Sequence, residues 1–222
     1  MNNELKILFA EKFPCLFGYI RKRTRGYCFS QFGEDEYLWS KIAEEHQESV
    51  SYLDIGAAHP VIGSNTFIFY LKGGSGVTVD ANPLLINRQK KMRPRDTQVH
   101  ACIGNIDSIV DFDLHSNWSF SSRSDGKSPI RGTRRITVPQ IPINSLLNNF
   151  VNSKVWFLNL DVEGLEVEIL ESANFDISCP AYCLIEVTKL SFTKVEDIMR
   201  NWGFVPLQTL GMTRIFKKMP LL

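Results

Sequence analysis

From residue 50 onward, short apolar runs alternate with stretches of helical spacing. Ser51-Tyr52-Leu53-Asp54-Ile55 reads as a strand that reaches a carboxylate and then a small-residue turn, Gly56-Ala57-Ala58-His59-Pro60. Ser64-Asn65-Thr66 opens a helix that runs to Lys72, and Gly73-Gly74 ends it. Gly76-Val77-Thr78-Val79-Asp80 is the next strand, again closed by a carboxylate. Asn82-Pro83 starts another helix, with Pro83 in its first turn, where a missing N–H does no harm. Residues 98–104 read as a third strand and turn. The apolar run 155–160 has the look of a strand buried on both faces, and residues 182–187 give the next. A helix over 192–202 and strands near 204–208 and 212–217 follow, the last two forming a hairpin with Gly211 at its turn. Strand alternating with helix predicts an α/β fold, a doubly wound and mostly parallel sheet with helices on both faces.

Two stretches stand outside this rhythm. Residues 3–20 place Leu5, Leu8, Phe9, Phe13, Leu16, Phe17 and Ile20 at helical spacing, with Pro14 as a break or kink. Arg21-Lys22-Arg23-Thr24-Arg25 follows. An apolar helix beside a basic cluster suits an acidic membrane surface; packing on the domain or on a second subunit, as in a homodimer, is the other reading. Residues 109–114 alternate like an exposed strand. Residues 116–135 are rich in serine and glycine and carry Arg123, Lys127, Arg131, Arg134 and Arg135. That stretch is either a substrate lid suited to an anionic group or a solvated loop.

At 222 residues the chain is expected to hold one α/β domain, residues 28–222, behind an N-terminal helix and basic segment, residues 1–27. Net charge is +1, so bulk electrostatics do not call for nucleic acid. Cys15, Cys28, Cys102, Cys179 and Cys183 lack zinc spacing and read as free thiols of a reducing compartment. No apolar run approaches the ~18 residues of a spanning helix, and charged residues interrupt any signal-peptide pattern. A cytoplasmic location is the expectation.

The chemistry lies at the strand ends. Gly56 permits a tight turn and a close ligand approach. Asp80 falls 24 residues after Gly56, where nucleotide-binding α/β folds place the acid that holds ribose hydroxyls. Ala57 and Ala58 stand where a dinucleotide fingerprint has further glycine, which favours a nucleoside cofactor without phosphates; S-adenosylmethionine fits. Asp161 and Glu186 end two more strands and should converge on the same sheet edge. Asp161, Glu163, Glu186 and His59 are the candidates for taking a hydroxyl proton. Asp161 and Glu186 are alternatively the ligands of a magnesium or manganese ion. Ser30, ahead of an acidic cluster, reads as a helix cap, with Gln31 over the cofactor mouth.

Ser30-Gln31-Phe32-Gly33-Glu34-Asp35, Asp54-Ile55-Gly56-Ala57-Ala58-His59-Pro60 with Ser64-Asn65-Thr66, Val79-Asp80-Ala81-Asn82-Pro83 and Asn159-Leu160-Asp161-Val162-Glu163-Gly164-Leu165-Glu166 resemble the motifs of the FkbM family of S-adenosylmethionine-dependent methyltransferases. The resemblance covers roughly residues 28–217 and implies the class I methyltransferase (Rossmann-like) fold, a seven-stranded sheet whose last strand is reversed. It implies O-methylation, commonly of a sugar hydroxyl in a glycan and sometimes of a small molecule. Asp54, Gly56, Asp80 and Asn82 would contact the cofactor, and Asp161 would sit at the acceptor. Where the family often has glutamate, Asp80 is one methylene shorter. Gln31, Ala57, Ser64, Asn65 and Ile103 complete the expected cofactor set. A catalytically silent module that binds a partner through the same fold is the rival from outside enzymes.

Overall fold

A computed structural model describes residues 3–21, 28–45, 50–115, 121–124, 133–150 and 156–220. The N-terminal segment forms two helices, α1 (Asn3–Lys12) and α2 (Pro14–Arg21). Pro14 takes the first helical position of α2, so the expected kink is a full break. Helix α3 (Glu34–Glu45) follows. Its start is fixed by Ser30, whose Oγ accepts from the Gly33 N–H at 3.1 Å, and by Asp35, which accepts from the Phe29 N–H at 2.7 Å.

The main sheet takes its centre from β1 (Ser51–Ile55) and β8 (Trp156–Leu160), which pair in parallel. On one side of β1 lie β2 (Ser75–Asp80) and β3 (Thr97–His100). On the far side of β8 lie β9 (Tyr182–Glu186), β11 (Thr213–Lys218) and β10 (Phe204–Leu210). The order β10-β11-β9-β8-β1-β2-β3 makes seven strands, and β11 alone runs against its neighbours. The expected sheet with a reversed last strand is therefore present. Strand order reverses between β1 and β8, and this opens a crevice at their carboxyl ends.

Alternation along each central strand feeds two cores. Tyr52, Phe157, Tyr182 and Leu184 enter one cluster; Leu53, Ile55, Leu158, Leu160, Cys183 and Ile185 enter the other. Helices α4 (Phe67–Leu71), α5 (Pro83–Met92), α6 (Ile143–Leu147), α7 (Glu166–Ser172) and α8 (Phe192–Asn201) complete the layers. Ala10 and Phe17 of the N-terminal pair are buried in the first cluster. Glu11 accepts from Arg88 on α5 at 2.6 Å.

A second sheet was not expected. The stretch read as one strand breaks at Ala101, and its second half, β4 (Cys102–Gly104), leaves the main sheet. It pairs with β7 (Thr133–Pro142), which pairs with β5 (Ser108–His115), which pairs with β6 (Ser122–Arg123). Residues 121–124 and 133–135, read as loop, are mostly strand. The rest of the expected lid, 116–120 and 125–132, lies outside the described residues, as does the basic run 22–25. All five cysteines are free thiols. No helix among the described residues is long and apolar enough to cross a membrane.

Candidate active site

The turn after β1 is built from backbone and side chain together. The Gly56 and Ala57 N–H groups both donate to the Val79 carbonyl at 3.0 Å. Gly56 has φ +79°, and a Cβ there would lie 1.7 Å from the Asp161 carbonyl oxygen. Asp80 closes the turn from β2: its Oδ2 accepts from the Ala58 N–H at 2.8 Å and its Oδ1 from the Asn82 N–H at 2.7 Å. Gln89 of α5 donates to the Ala58 carbonyl at 3.1 Å. Asn82 caps α5 through the Leu84 N–H at 3.0 Å. Burial raises the Asp80 carboxyl to about 6, against the pull of those two N–H groups.

Beneath the turn runs a buried chain of polar side chains. Asp54 accepts from the Thr66 hydroxyl and from Asn159 Nδ2 at 2.9 Å. Asn159 Oδ1 accepts from Asn65 Nδ2 at 2.9 Å. Burial raises the Asp54 carboxyl, and Arg93 opposes it. Asn65 Oδ1 is buried and has no partner among the described residues.

These groups enclose a cavity of about 410 Å³. Its wall includes Gln31, Asp54, Gly56, Ala57, Ser64, Asn65, Asp80, Asn82 and Ile103, the whole expected cofactor set. It also includes Asp161, Glu163 and Glu186. Leu85, Cys102 and Phe112 add an apolar portion near Asp80 that suits a flat base. The residues fit S-adenosylmethionine. Each Asp80 oxygen keeps a lone pair for a ribose hydroxyl.

At the carboxyl ends of β8 and β9 further carboxylates gather on the cavity wall. The turn after β8 places Glu163 at φ 55° and Gly164 at φ 104°. Glu166 holds it, its Oε1 accepting from the Val162 N–H at 3.0 Å and the Gly164 N–H at 3.1 Å. Asp161 and Glu186 share a hydrogen bond. Burial, then the Glu186 charge, push the Asp161 carboxyl well up, while Glu186 rises less because Asp161 donates to it. Burial, then the charges of Glu186 and Glu166, raise Glu163 to about 7. Ligand oxygens of Asp161, Glu166 and Glu186 lie within 4.8 Å of one another.

One expected catalytic group is elsewhere. His59 is fully buried, away from the cavity wall. Its Nδ1 accepts from the Val61 and Ile62 N–H groups at 3.2 and 3.1 Å, and its Nε2 faces Glu11 at 3.4 Å. Burial, then Arg88 and Lys6, lower its pKa to about 3. His59 therefore braces the turn against α1 and is placed for no proton transfer at the cavity. Arg123 also differs from expectation. It lines the cavity, but it is bound by both guanidinium arms to Glu168 on α7, at 3.1 and 2.7 Å. Its charge is matched within the protein and is not held out for a substrate anion. Asn159, Gln89 and Glu166 were missed as site residues. A lone asparagine inside the apolar run 155–160 was the available signal for Asn159.

The model of the methyltransferase FkbM domain matches residues 54–206. No curated protein sequence matches the chain. Among solved structures, a TehB-like SAM-dependent methyltransferase from Corynebacterium glutamicum aligns at 11% identity over 98% of this chain and 100% of that one, with a TM-score of 0.45. The 1,6-didemethyltoxoflavin-N1-methyltransferase of Burkholderia thailandensis aligns at 10% identity over 97% and 88%, with a TM-score of 0.44. A human methyltransferase 10 domain containing protein aligns at 11% identity over 98% of both chains, with a TM-score of 0.47. The family match spans most of the chain and includes Asp54, Gly56, Asp80 and Asp161. The chain belongs to the FkbM methyltransferase domain family.

Proposed function

We propose that the protein is an S-adenosylmethionine-dependent O-methyltransferase whose acceptor is a sugar hydroxyl of a glycan. The observation that carries this reading is the hydrogen-bonded Asp161–Glu186 carboxyl pair at the cavity wall, both members raised by burial and Asp161 further by the Glu186 charge. S-adenosylmethionine supplies a methyl group on a sulfonium. Asp80 and the Gly56 turn would hold its nucleoside end. The acceptor oxygen forms its bond to the methyl carbon as the carbon–sulfur bond breaks, and the hydroxyl proton passes to the carboxyl pair. A pair that ionises nearer neutrality than an ordinary acid is a better base at working pH. Glu163, on the same wall, is an acceptor for a second hydroxyl, which a polyol offers and a simple alcohol does not.

A metal-assisted version draws on the proximity of Asp161, Glu166 and Glu186. A magnesium or manganese ion there would be held by those carboxylates and would acidify the hydroxyl. Activity in chelator, then with metal restored, separates the two versions: full activity in chelator leaves the carboxyl base. An acceptor screen with sugars, glycans and small phenols, read by formation of S-adenosylhomocysteine, tests the substrate class. Turnover of phenols alone moves the reading to small-molecule methylation. Cofactor binding without turnover on any acceptor supports a silent binding module.

A further inference from the structure

Beside the carboxyl pair the cavity wall turns apolar. Phe32 lines the cavity and is 38% exposed, and Met212 lines it and is 52% exposed. Both are held next to Glu186 by contacts that run from residue to residue. Thr213 pairs with Glu186 across β11 and β9, and the Met212 carbonyl accepts from the Val187 N–H at 2.8 Å. The Thr213 hydroxyl donates to Glu34 Oε1 at 3.3 Å, and Glu34 Oε2 accepts from the Phe32 N–H at 2.7 Å. Glu34 is itself buried, so the tie between the two segments is shielded from water. The Phe32 ring rests against Gly211, where a Cβ would meet it at 2.2 Å. Gly211, at φ 58°, thus serves the hairpin turn and also makes room for the ring. A ring seated this firmly, yet left partly open on a cavity wall, forgoes the free energy of full burial.

We propose that Phe32, flanked by Met212, is the platform on which the acceptor's ring lies while one of its hydroxyls meets the Asp161–Glu186 pair. This rests on the sugar reading given above and narrows it: the acceptor is a neutral pyranose, not an open-chain polyol. A pyranose has a face of C–H groups and an edge of hydroxyls. The C–H face suits the electron-rich face of an aromatic ring. The hydroxyl edge suits the carboxylates of Asp161, Glu163 and Glu186 on the same wall. Met212 is flexible enough to follow the substituents of the sugar. An acceptor carrying its own carboxylate or phosphate would meet those three acids, while Arg123 on the wall is already matched to Glu168.

The test is formation of S-adenosylhomocysteine with methyl glucoside, methyl mannoside and methyl rhamnoside, with mannitol as the open-chain control and catechol as the phenol. The wild type should turn over a pyranoside and not mannitol. Phe32→Ala should raise the KM for that pyranoside by about tenfold with kcat little changed, the mark of lost ground-state binding. Phe32→Tyr, which keeps the ring, should keep the wild-type KM. Calorimetry should give all three proteins the same affinity for S-adenosylmethionine, which also shows that the variants fold. A pyranoside KM unchanged in Phe32→Ala would overturn the proposal, as would equal turnover of mannitol. So would a Phe32→Ala protein that loses S-adenosylmethionine affinity to the same extent, since the ring would then serve the cofactor. A wild type that binds S-adenosylmethionine and turns over catechol but no pyranoside overturns the sugar reading and the pyranose with it; the catechol KM of Phe32→Ala then decides the platform separately.

Discussion

A methyl group on residue 56 would sit 1.7 Å from the Asp161 carbonyl oxygen, on a backbone at φ +79°. Neither the turn nor the strand end behind it can move without disturbing the cavity. Gly56→Ala should therefore cost at least about 2–3 kcal/mol of stability, measured by denaturant unfolding, and should weaken cofactor binding as well. Asp80 acts differently. Its two backbone bonds shape the turn, and its carboxyl lines the cavity. Asp80→Ala should weaken S-adenosylmethionine binding by about 1.5–3 kcal/mol in calorimetry. Unchanged affinity would remove Asp80 from the cofactor site. Both residues were legible in the sequence, because a carboxylate after an apolar strand and a glycine in the next turn carry their own geometry. His59 was not. The sequence placed it in the turn, but the side on which its imidazole lies is decided by the Val61 and Ile62 N–H groups that bind it.

Among the elements, the main sheet was readable and the small sheet was not, and burial explains the difference. β1, β8 and β9 are covered on both faces, so their apolar runs stand out. β7 has only Val138 and Gln140 buried, and it carries Arg134, Arg135, Pro139 and Pro142. Such a strand looks like loop until its partner is known. Its partner, β5, lies across a serine-rich stretch, and Arg135 closes the pairing with two bonds to Asp113 at 2.8 and 2.9 Å. Arg123 ties β6 to α7 in the same manner. Its ion pair is partly exposed, so Arg123→Ala should cost under about 1 kcal/mol in thermal unfolding. Because Arg123 is committed to Glu168 and Gln140, the same change should alter the acceptor KM only through the shape of the cavity wall, by less than about threefold, and a larger rise would show a direct contact with the acceptor. A KM left unchanged would confine Arg123 to a structural tie.

For the whole molecule, the acids that shape the site also shape its pH response. Asp35 and Asp80 are raised to about 6, Glu163 to about 7, and Asp161 well above its ordinary value, with burial the first cause in each. The folded chain thus binds these protons more tightly than the unfolded chain. Their contribution to stability is fully present below the ordinary carboxyl values and is lost as pH rises through the folded ones. These acids should lower the stability of the ligand-free protein between about pH 4 and pH 7, against the opposite contribution of buried His59, whose lowered pKa adds stability as pH rises from about 3 to about 6.5. Melting curves across that range check it, and Glu186→Gln, which removes the repulsion on Asp161, should flatten the fall. A melting temperature that climbs through this range in the wild type would show that other groups govern it.

The most direct test of the account is the methyl-transfer rate of Asp161→Asn, measured with saturating S-adenosylmethionine and an acceptor that the wild type turns over. Asparagine keeps the size and the hydrogen bond to Glu186, but it cannot pass a proton on to Glu186 as the acceptor proton arrives, so the pair no longer works as one acid–base unit. The account predicts a loss of about 10²–10⁴ in rate, with cofactor affinity close to wild type, because the amide preserves the shape of the cavity wall and the backbone contact with the Gly56 turn. A variant that methylates at a near-normal rate would contradict the placement of the reaction centre at Asp161 and Glu186.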